Sequence, residues 1–108
     1  MKDEAFRKAL EAYCRDRGIS AAYLTDASYD RSIVGITDEG RVVYDYRSMV
    51  LEFMSDENCS EEEAIEWLDY NTMRAIPYMG ELAPIVIMDT RADIMDAYFE
   101  GAKKGDAA

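Results

Sequence analysis

Residues 32–45 have the sequence SIVGITDEGRVVYD, in which two runs rich in β-branched residues flank a short polar loop. The loop ends in Gly40, and glycine readily adopts the positive φ angle that tight hairpin loops need. The stretch therefore predicts a β-hairpin. Within the first run, Gly35 predicts a bulge or the close approach of another backbone.

Apolar residues at helical spacing lie on both sides of the hairpin. Upstream, residues 3–17 predict an amphipathic helix that stops at Gly18. Downstream, residues 46–54 carry an apolar stripe, and Asp45 is placed to cap that helix.

A further helix is predicted for residues 61–72. Ser60 and Glu63 have the spacing of a capping box, in which each side chain accepts a hydrogen bond from the other residue's backbone N–H. We expect Trp67 to lie in the core, because its neighbours Ile65 and Leu68 follow the core period.

The last predicted strand is APIVIM, residues 83–88, which is apolar on both faces and so is expected to be internal or covered. Thr90 is placed to cap a final helix. Together these elements predict an α+β fold: a small, mainly antiparallel sheet of about three strands, packed with three to four helices. The third strand is free to pair in either direction. We expect a single domain over residues 1–108, with frayed ends at 1–2 and 101–108.

The composition is that of a globular protein with a strong negative charge. Hydrophobic residues make up 49% of the 108 residues, and the formal net charge is -11. No apolar run is long enough to cross a bilayer, and the N-terminus does not look like an export signal. We therefore expect a cytoplasmic protein with no membrane contact, and reduced cysteines at Cys14 and Cys59 with structural or incidental roles.

The charge is concentrated between Arg47 and Arg74, where no basic residue occurs. We call the carboxylates of this interval the acidic stretch: Glu52, Asp56, Glu57, Glu61, Glu62, Glu63, Glu66 and Asp69. One interpretation is a solvated surface that keeps the protein soluble. Another is a surface that docks on a basic protein and repels nucleic acid. A calcium site is disfavoured, since the D-x-D-x-D-G loop is absent.

Catalysis is not expected. The chain has no histidine, which removes the commonest general base and the commonest zinc ligand. No phosphate-binding loop, dinucleotide fingerprint, C-x-x-C or nucleophile elbow occurs. A carboxylate-based hydrolase would need a cleft that perturbs one acid. We predict no enzymatic activity, no cofactor and no metal.

Residues 64–87, AIEWLDYNTMRAIPYMGELAPIVI, resemble a segment of small uncharacterised proteins of bacteria and their phages. In those proteins the segment follows a hairpin and a YDYxxM-like stretch, here residues 44–49, so the resemblance covers about half of the chain. In size and charge the chain is also similar to phage anti-CRISPR inhibitors, which implies an inhibitory role by analogy of class.

We therefore predict a non-enzymatic inhibitor or interaction protein of phage or mobile-element type, acting in the cytoplasm of a bacterial host. It would dock on a basic nucleic-acid-binding protein as a DNA mimic, with a CRISPR effector subunit as one candidate, and would not bind nucleic acid directly. The alternative is a structural or regulatory homodimer, formed through the Tyr- and Met-rich apolar surface, whose acids serve solubility only. The predicted partner-binding residues are Glu52, Asp56, Glu57, Glu62, Glu63, Glu66 and Asp69.

Overall fold

Within the described residues, a three-stranded sheet and four α-helices form the fold, in the α+β class that the sequence predicts. The computed structural model describes the backbone of residues 4–24 and 27–107 and the side chains of residues 5–24 and 28–101. The α-helices and strands in chain order are α1 (Glu4–Asp16), β1 (Ile33–Ile36), β2 (Val42–Asp45), α2 (Tyr46–Glu57), α3 (Glu61–Trp67), β3 (Ile85–Ile87) and α4 (Arg91–Ala107). Shorter helical turns are the 3₁₀ segments Ala27–Ser32 and Ile76–Tyr78 and the π-helical segment Leu68–Met73.

The predicted hairpin is confirmed. Strands β1 and β2 pair antiparallel, and their register shifts between Ile33 and Gly35, where the sequence predicts a bulge. Gly40 closes the loop with a φ of +96°. The loop is held by the backbone N–H of Thr37, which donates to the carbonyl of Arg41 at 2.8 Å.

The third strand pairs in parallel with β2, so the sheet is mixed and its order is β1-β2-β3. A parallel pair needs a long crossover, and α2, α3 and the turns after them provide it. The sequence predicts a third strand that is internal or covered, and the internal position is wrong: β2 is central, and β3 lies at an edge, where its residues are half-buried. Burial is concentrated just before β3, at Ala83 and Pro84, and Arg41 donates from Nε to the Ala83 carbonyl at 2.8 Å.

The core lies between the sheet and the pair formed by α2 and α3. Its fully buried side chains include Val42 and Tyr44 of β2, Met49 of α2 and Ala64 of α3. Leu68, the first residue of the π-helical segment, completes this layer. Apolar residues of α2 and α3 thus cover one face of the sheet, as their helical spacing predicts.

A buried ion pair attaches α1 to the rest of the fold. Arg7 donates from Nη2 and Nε to the two carboxylate oxygens of Asp30, at 2.6 and 2.9 Å. Asp30 is only 1% exposed, and the guanidinium also stacks over the ring of Tyr23 at 4.5 Å. The hydrogen bond to Asp30 raises the pKa of Arg7.

Two predicted helix ends differ from the structure. Helix α2 continues past residue 54 to Glu57, and the helix predicted over 61–72 is α-helical only to Trp67 and π-helical from Leu68 to Met73.

The predicted helix caps agree with the structure. Gly18 follows α1 with a φ of +68°, and Asp45 accepts from the backbone N–H of Arg47 to cap α2. Thr90 and Asp93 exchange hydrogen bonds at the start of α4, and the bond from the Thr90 N–H lowers the pKa of Asp93.

Of the ends that the sequence predicts to fray, residues 1–2 and 108 lie outside the described residues, while α4 continues to Ala107.

Candidate protein-interaction surface

The acidic stretch is distributed over the end of α2, the start of α3 and the π-helical segment. Between the two helices, Asn58 adopts a left-handed conformation with a φ of +49°. Its N–H and that of Cys59 both bond to the carbonyl of Met54, which ends α2. The chain therefore reverses within a few residues, and the acidic end of α2 lies beside the acidic first turn of α3.

The capping box at the start of α3 is confirmed and involves Glu63 directly. The Ser60 hydroxyl accepts from the Glu63 N–H, and the Glu63 carboxylate accepts from the Ser60 N–H, each at 3.2 Å. These bonds lower the pKa of Glu63. Three acids in this first turn also favour the positive end of the helix dipole. Glu63 thus has a structural role in addition to any role in binding.

Two other members of the stretch contact the chain itself. Glu52 is half-buried, and its carboxylate lies 3.9 Å from Nη1 of Arg31. Asp69 accepts a 2.7 Å hydrogen bond from the hydroxyl of Tyr46, a buried residue at the start of α2. Burial and this carboxylate raise the pKa of Tyr46. Asp69 therefore contacts α2 through this hydrogen bond, and it is also exposed, like Glu62 and Glu66.

The remaining five carboxylates of the stretch are exposed: Asp56, Glu57, Glu61, Glu62 and Glu66. Among the side chains that the structure describes, no cation lies within 4.0 Å of any of these five. Glu62 and Glu66 are one helical turn apart, about 6 Å. Like charges held this close and left without partners produce a negative field that a cationic surface would relieve.

Aromatic residues lie within this acidic surface. Trp67 stacks on Phe53 of α2 with ring centroids 4.8 Å apart, and the side chain is 45% exposed. Tyr70 is 68% exposed. With Glu63 and Glu66 they line a shallow groove of about 430 Å³, which we call the aromatic groove. The expectation that Trp67 belongs to the core is therefore wrong, because Met49, Ala64 and Leu68 already fill the space between the helices and the sheet.

Two residues of the aromatic groove, Tyr70 and Asn71, lie in the wider π-helical segment that follows Trp67. The chain passes from α-helical to π-helical geometry at Leu68, and the Asn71 side-chain amide donates to the Trp67 carbonyl at 2.9 Å. Arg74, at the end of the π-helical segment, stacks over the Tyr70 ring with its guanidinium carbon 5.0 Å from the centroid. A guanidinium thus already contacts one of the groove's aromatic rings.

Cys59 also lines the aromatic groove, and its environment does not favour a reactive thiolate. Burial and the carboxylates of Glu63 and Glu57 raise the pKa of its thiol. A neutral thiol is a poor nucleophile at neutral pH, because the thiolate is the reactive form. This agrees with a structural or incidental role for Cys59.

The predicted partner-binding residues thus differ in whether their carboxylates already have a partner within the chain. Asp56, Glu57, Glu62 and Glu66 are exposed without a cation, whereas Glu52, Glu63 and Asp69 have partners in the chain, as described above.

Trp67 and Tyr70 are absent from that set although they lie on the same surface. Their spacing carried a signal, since Tyr70 follows Glu66 by four residues and Trp67 by three, which places Tyr70 beside each of them on the helix surface.

Comparison with known proteins gave no assignment: the chain matches no protein-family model, no curated protein and no solved structure.

Within the described residues, no group of three or more acidic, cysteine or histidine side chains is arranged to hold a metal ion. In the same part of the chain, every helix is too short or too polar to cross a membrane.

Proposed function

We propose that this protein is a non-enzymatic interaction protein that docks on a basic surface of another protein through the acidic ends of α2 and α3. The observation that carries the proposal is the combination of five exposed, unpaired carboxylates with the exposed aromatic groove. Charge alone is common on protein surfaces, but aromatic side chains are enriched where binding energy is concentrated.

The two components would act at different stages of binding. Exposed carboxylates attract a basic partner over about a Debye length, roughly 8–10 Å in ordinary salt, and so raise the rate of association. Trp67 and Tyr70 would then supply apolar contact and accept a cation on their ring faces, a contact of about 0.5–2 kcal/mol. Arg74 over Tyr70 illustrates the geometry that a partner's arginine would adopt.

The partner class that fits this surface is a protein that binds nucleic acid through a basic groove. Carboxylates about 6 Å apart on one helix present charge at a density comparable with that of DNA. Successive phosphates of one strand advance about 3.4 Å along the DNA axis, and the winding of the strand spreads them further apart. The protein would occupy the groove in place of nucleic acid and inhibit the partner. A phage-type inhibitor in a bacterial cytoplasm, such as an anti-CRISPR protein acting on an effector subunit, is the specific case that we would test first.

The proposal is tested by charge reversal at matched sites. The variant Glu62→Lys/Glu66→Lys changes the proposed surface, while Asp38→Lys/Glu39→Lys makes the same change in net charge in the exposed hairpin loop. Tagged proteins are used to capture partners from a nuclease-treated bacterial lysate at low and at high salt. We expect wild type and the loop variant to capture the same basic proteins at low salt, and the surface variant to lose them.

A second pair of variants tests the aromatic groove. Trp67→Ala should weaken capture of the partner, whereas Tyr78→Ala, at a tyrosine that is 90% exposed and absent from the groove lining, should not.

The charge-reversal experiment decides the proposal. Equal capture of basic proteins by wild type and by the Glu62→Lys/Glu66→Lys variant, with both proteins folded by circular dichroism, would refute it.

A further inference from the structure

The aromatic groove has two aromatic walls that contacts within the chain hold in place. Trp67 stacks on Phe53 at an interplanar angle of 28°, and its backbone carbonyl accepts from the Asn71 side chain. Tyr70 is contacted by the guanidinium of Arg74, which does not itself line the groove. Side chains that are fixed before a partner arrives lose less conformational entropy when it binds. Both rings are therefore preorganised to contact a partner.

Two carboxylates line the same groove and differ in their contacts with the chain. One is Glu63, whose carboxylate accepts from the Ser60 N–H in the capping box. The other is Glu66, and among the described side chains no cation lies within 4.0 Å of it. Exposed ring faces beside a carboxylate without a counterion are complementary to a cation. A metal ion is not the cation that fits, since within the described residues no three acidic or cysteine side chains are grouped to hold one.

The two organic cations that a protein surface presents, guanidinium and ammonium, differ in how well they match this groove. The guanidinium of arginine is planar and weakly hydrated, so it can lie flat on a ring while its N–H groups donate in pairs to a carboxylate. The ammonium of lysine is a compact, strongly hydrated charge without a flat face, and it must lose bound water to approach a ring. Arg74 already lies over the Tyr70 ring, so one of the two rings accepts a guanidinium within the chain itself.

We propose that the aromatic groove is an arginine-selective site, in which one arginine side chain of the partner lies against the Trp67 and Tyr70 rings and donates to Glu66. The inference rests on the proposed function, because the arginine belongs to the basic surface on which the protein docks. It adds a specificity that charge alone does not give. The exposed carboxylates attract arginine and lysine equally, since both carry one positive charge. Only the groove distinguishes the two side chains.

Two peptides of equal charge separate the effect of the groove from that of the overall field. Fluorescein-labelled hexa-arginine and hexa-lysine are titrated with the full chain at low salt, and fluorescence anisotropy gives the Kd of each. For wild type we expect the Kd of hexa-arginine to be about 5-fold lower than that of hexa-lysine, which corresponds to one cation–π contact of about 1 kcal/mol. Equal Kd values for the two peptides would overturn the proposal.

Matched variants show whether the preference arises in the groove. Tyr70→Leu removes a ring from the groove, and Tyr78→Leu removes one from an exposed position outside it. Glu66→Gln and Glu39→Gln each remove one negative charge, the first in the groove and the second in the hairpin loop. We expect the ratio of the two Kd values to fall to about 2 or less in the groove variants and to stay at about 5 in the controls. A ratio unchanged in both groove variants would overturn the proposal.

Trp67 provides a second measurement, since it is the single tryptophan of the chain. Its emission, followed with unlabelled peptides, should change more on saturation with hexa-arginine than with hexa-lysine, because only the guanidinium lies flat against the ring. Binding of hexa-arginine that leaves the emission of Trp67 unchanged would place the arginine outside the groove and overturn the proposal.

The arginine site and the proposed function fail separately. Suppose that wild type captures basic proteins, that the Glu62→Lys/Glu66→Lys variant loses them, and that wild type binds the two peptides equally. That result would refute the arginine site and leave the proposed function supported. A preference for hexa-arginine without capture of any basic protein from the lysate would support the arginine site and contradict the proposed function.

Discussion

Breaking the ion pair between Arg7 and Asp30 should cause a large loss of stability. Substitution Arg7→Met keeps an unbranched apolar side chain that can cover Tyr23, but it removes both hydrogen bonds to the carboxylate. Asp30 is 1% exposed and so would be left charged and without its cation in the interior. The same change frees the Leu24 carbonyl, which accepts from Arg7 at 3.4 Å.

The magnitude follows from the burial of the two partners. Removing one partner of a buried ion pair costs about 3–5 kcal/mol. The Arg7 side chain is 22% exposed, so water can approach Asp30 after the substitution, and the lower figure of about 3 kcal/mol applies. For a domain of this size, that corresponds to a fall in Tm of roughly 10–20 °C. Total stability of such domains is about 5–15 kcal/mol, so the variant should still fold at room temperature.

Urea unfolding followed by circular dichroism measures the effect, with Arg15→Met as control on an exposed position of the same helix. The control should change the free energy of unfolding by less than about 0.5 kcal/mol. The double variant Arg7→Met/Asp30→Leu should recover most of the loss, because no buried charge then lacks a partner. If Arg7→Met loses no more stability than Arg15→Met, the pair is not a structural link between α1 and the 3₁₀ segment Ala27–Ser32.

Three further effects are expected. Ser60→Ala should lower the free energy of unfolding by about 1 kcal/mol, because it removes the side-chain cap of α3. Ser60→Thr keeps the hydroxyl and should not lower it; equal denaturation curves for the two variants would contradict the prediction. Gly40→Ala should lower the free energy of unfolding by about 1–3 kcal/mol, because φ at this position is +96° and the new Cβ would lie 2.6 Å from Ile19 Cγ2. Thermal unfolding measures the loss, and Gly35→Ala is the control, since a Cβ at Gly35 meets no atom within 4 Å. Burial raises the pKa of Tyr23 above its usual 10.0 to about 12, so its contribution to stability is complete below pH 10 and is lost between about pH 10 and 12. Alkaline unfolding of Tyr23→Phe should lack that part of the pH dependence, and an unchanged profile would contradict it.

Local features of the fold were predictable from the sequence because their causes lie within a few residues. The hairpin depends on β-branched runs and on a glycine with positive φ, and Gly40 has both the position and the angle. The caps at Asp45 and Ser60 depend on a side-chain oxygen within two or three residues of a free backbone N–H. The burial of Met49, Ala64 and Leu68 follows from helical spacing.

The candidate site was predictable only in part, since a carboxylate's sequence position does not reveal its neighbours. Glu62 and Glu66 are exposed, as their positions on the outer face of a helix indicate. Asp69 is exposed as well, but it also accepts a hydrogen bond from Tyr46, 23 residues away in the chain, which its sequence position does not indicate. Trp67 lies at the surface because the space beneath the helices is already filled, which no count of apolar neighbours reveals.

The sequence by itself determined the order of helices and strands, the helix caps, and the concentration of negative charge between Arg47 and Arg74, because these depend on local backbone preferences and on composition. Only the tertiary structure decided the parallel pairing of β3 at a sheet edge, the buried pairing of Arg7 with Asp30, and the position of the aromatic groove. These features depend on which distant segments meet and on how much space the packed core leaves, and both are properties of the assembled chain.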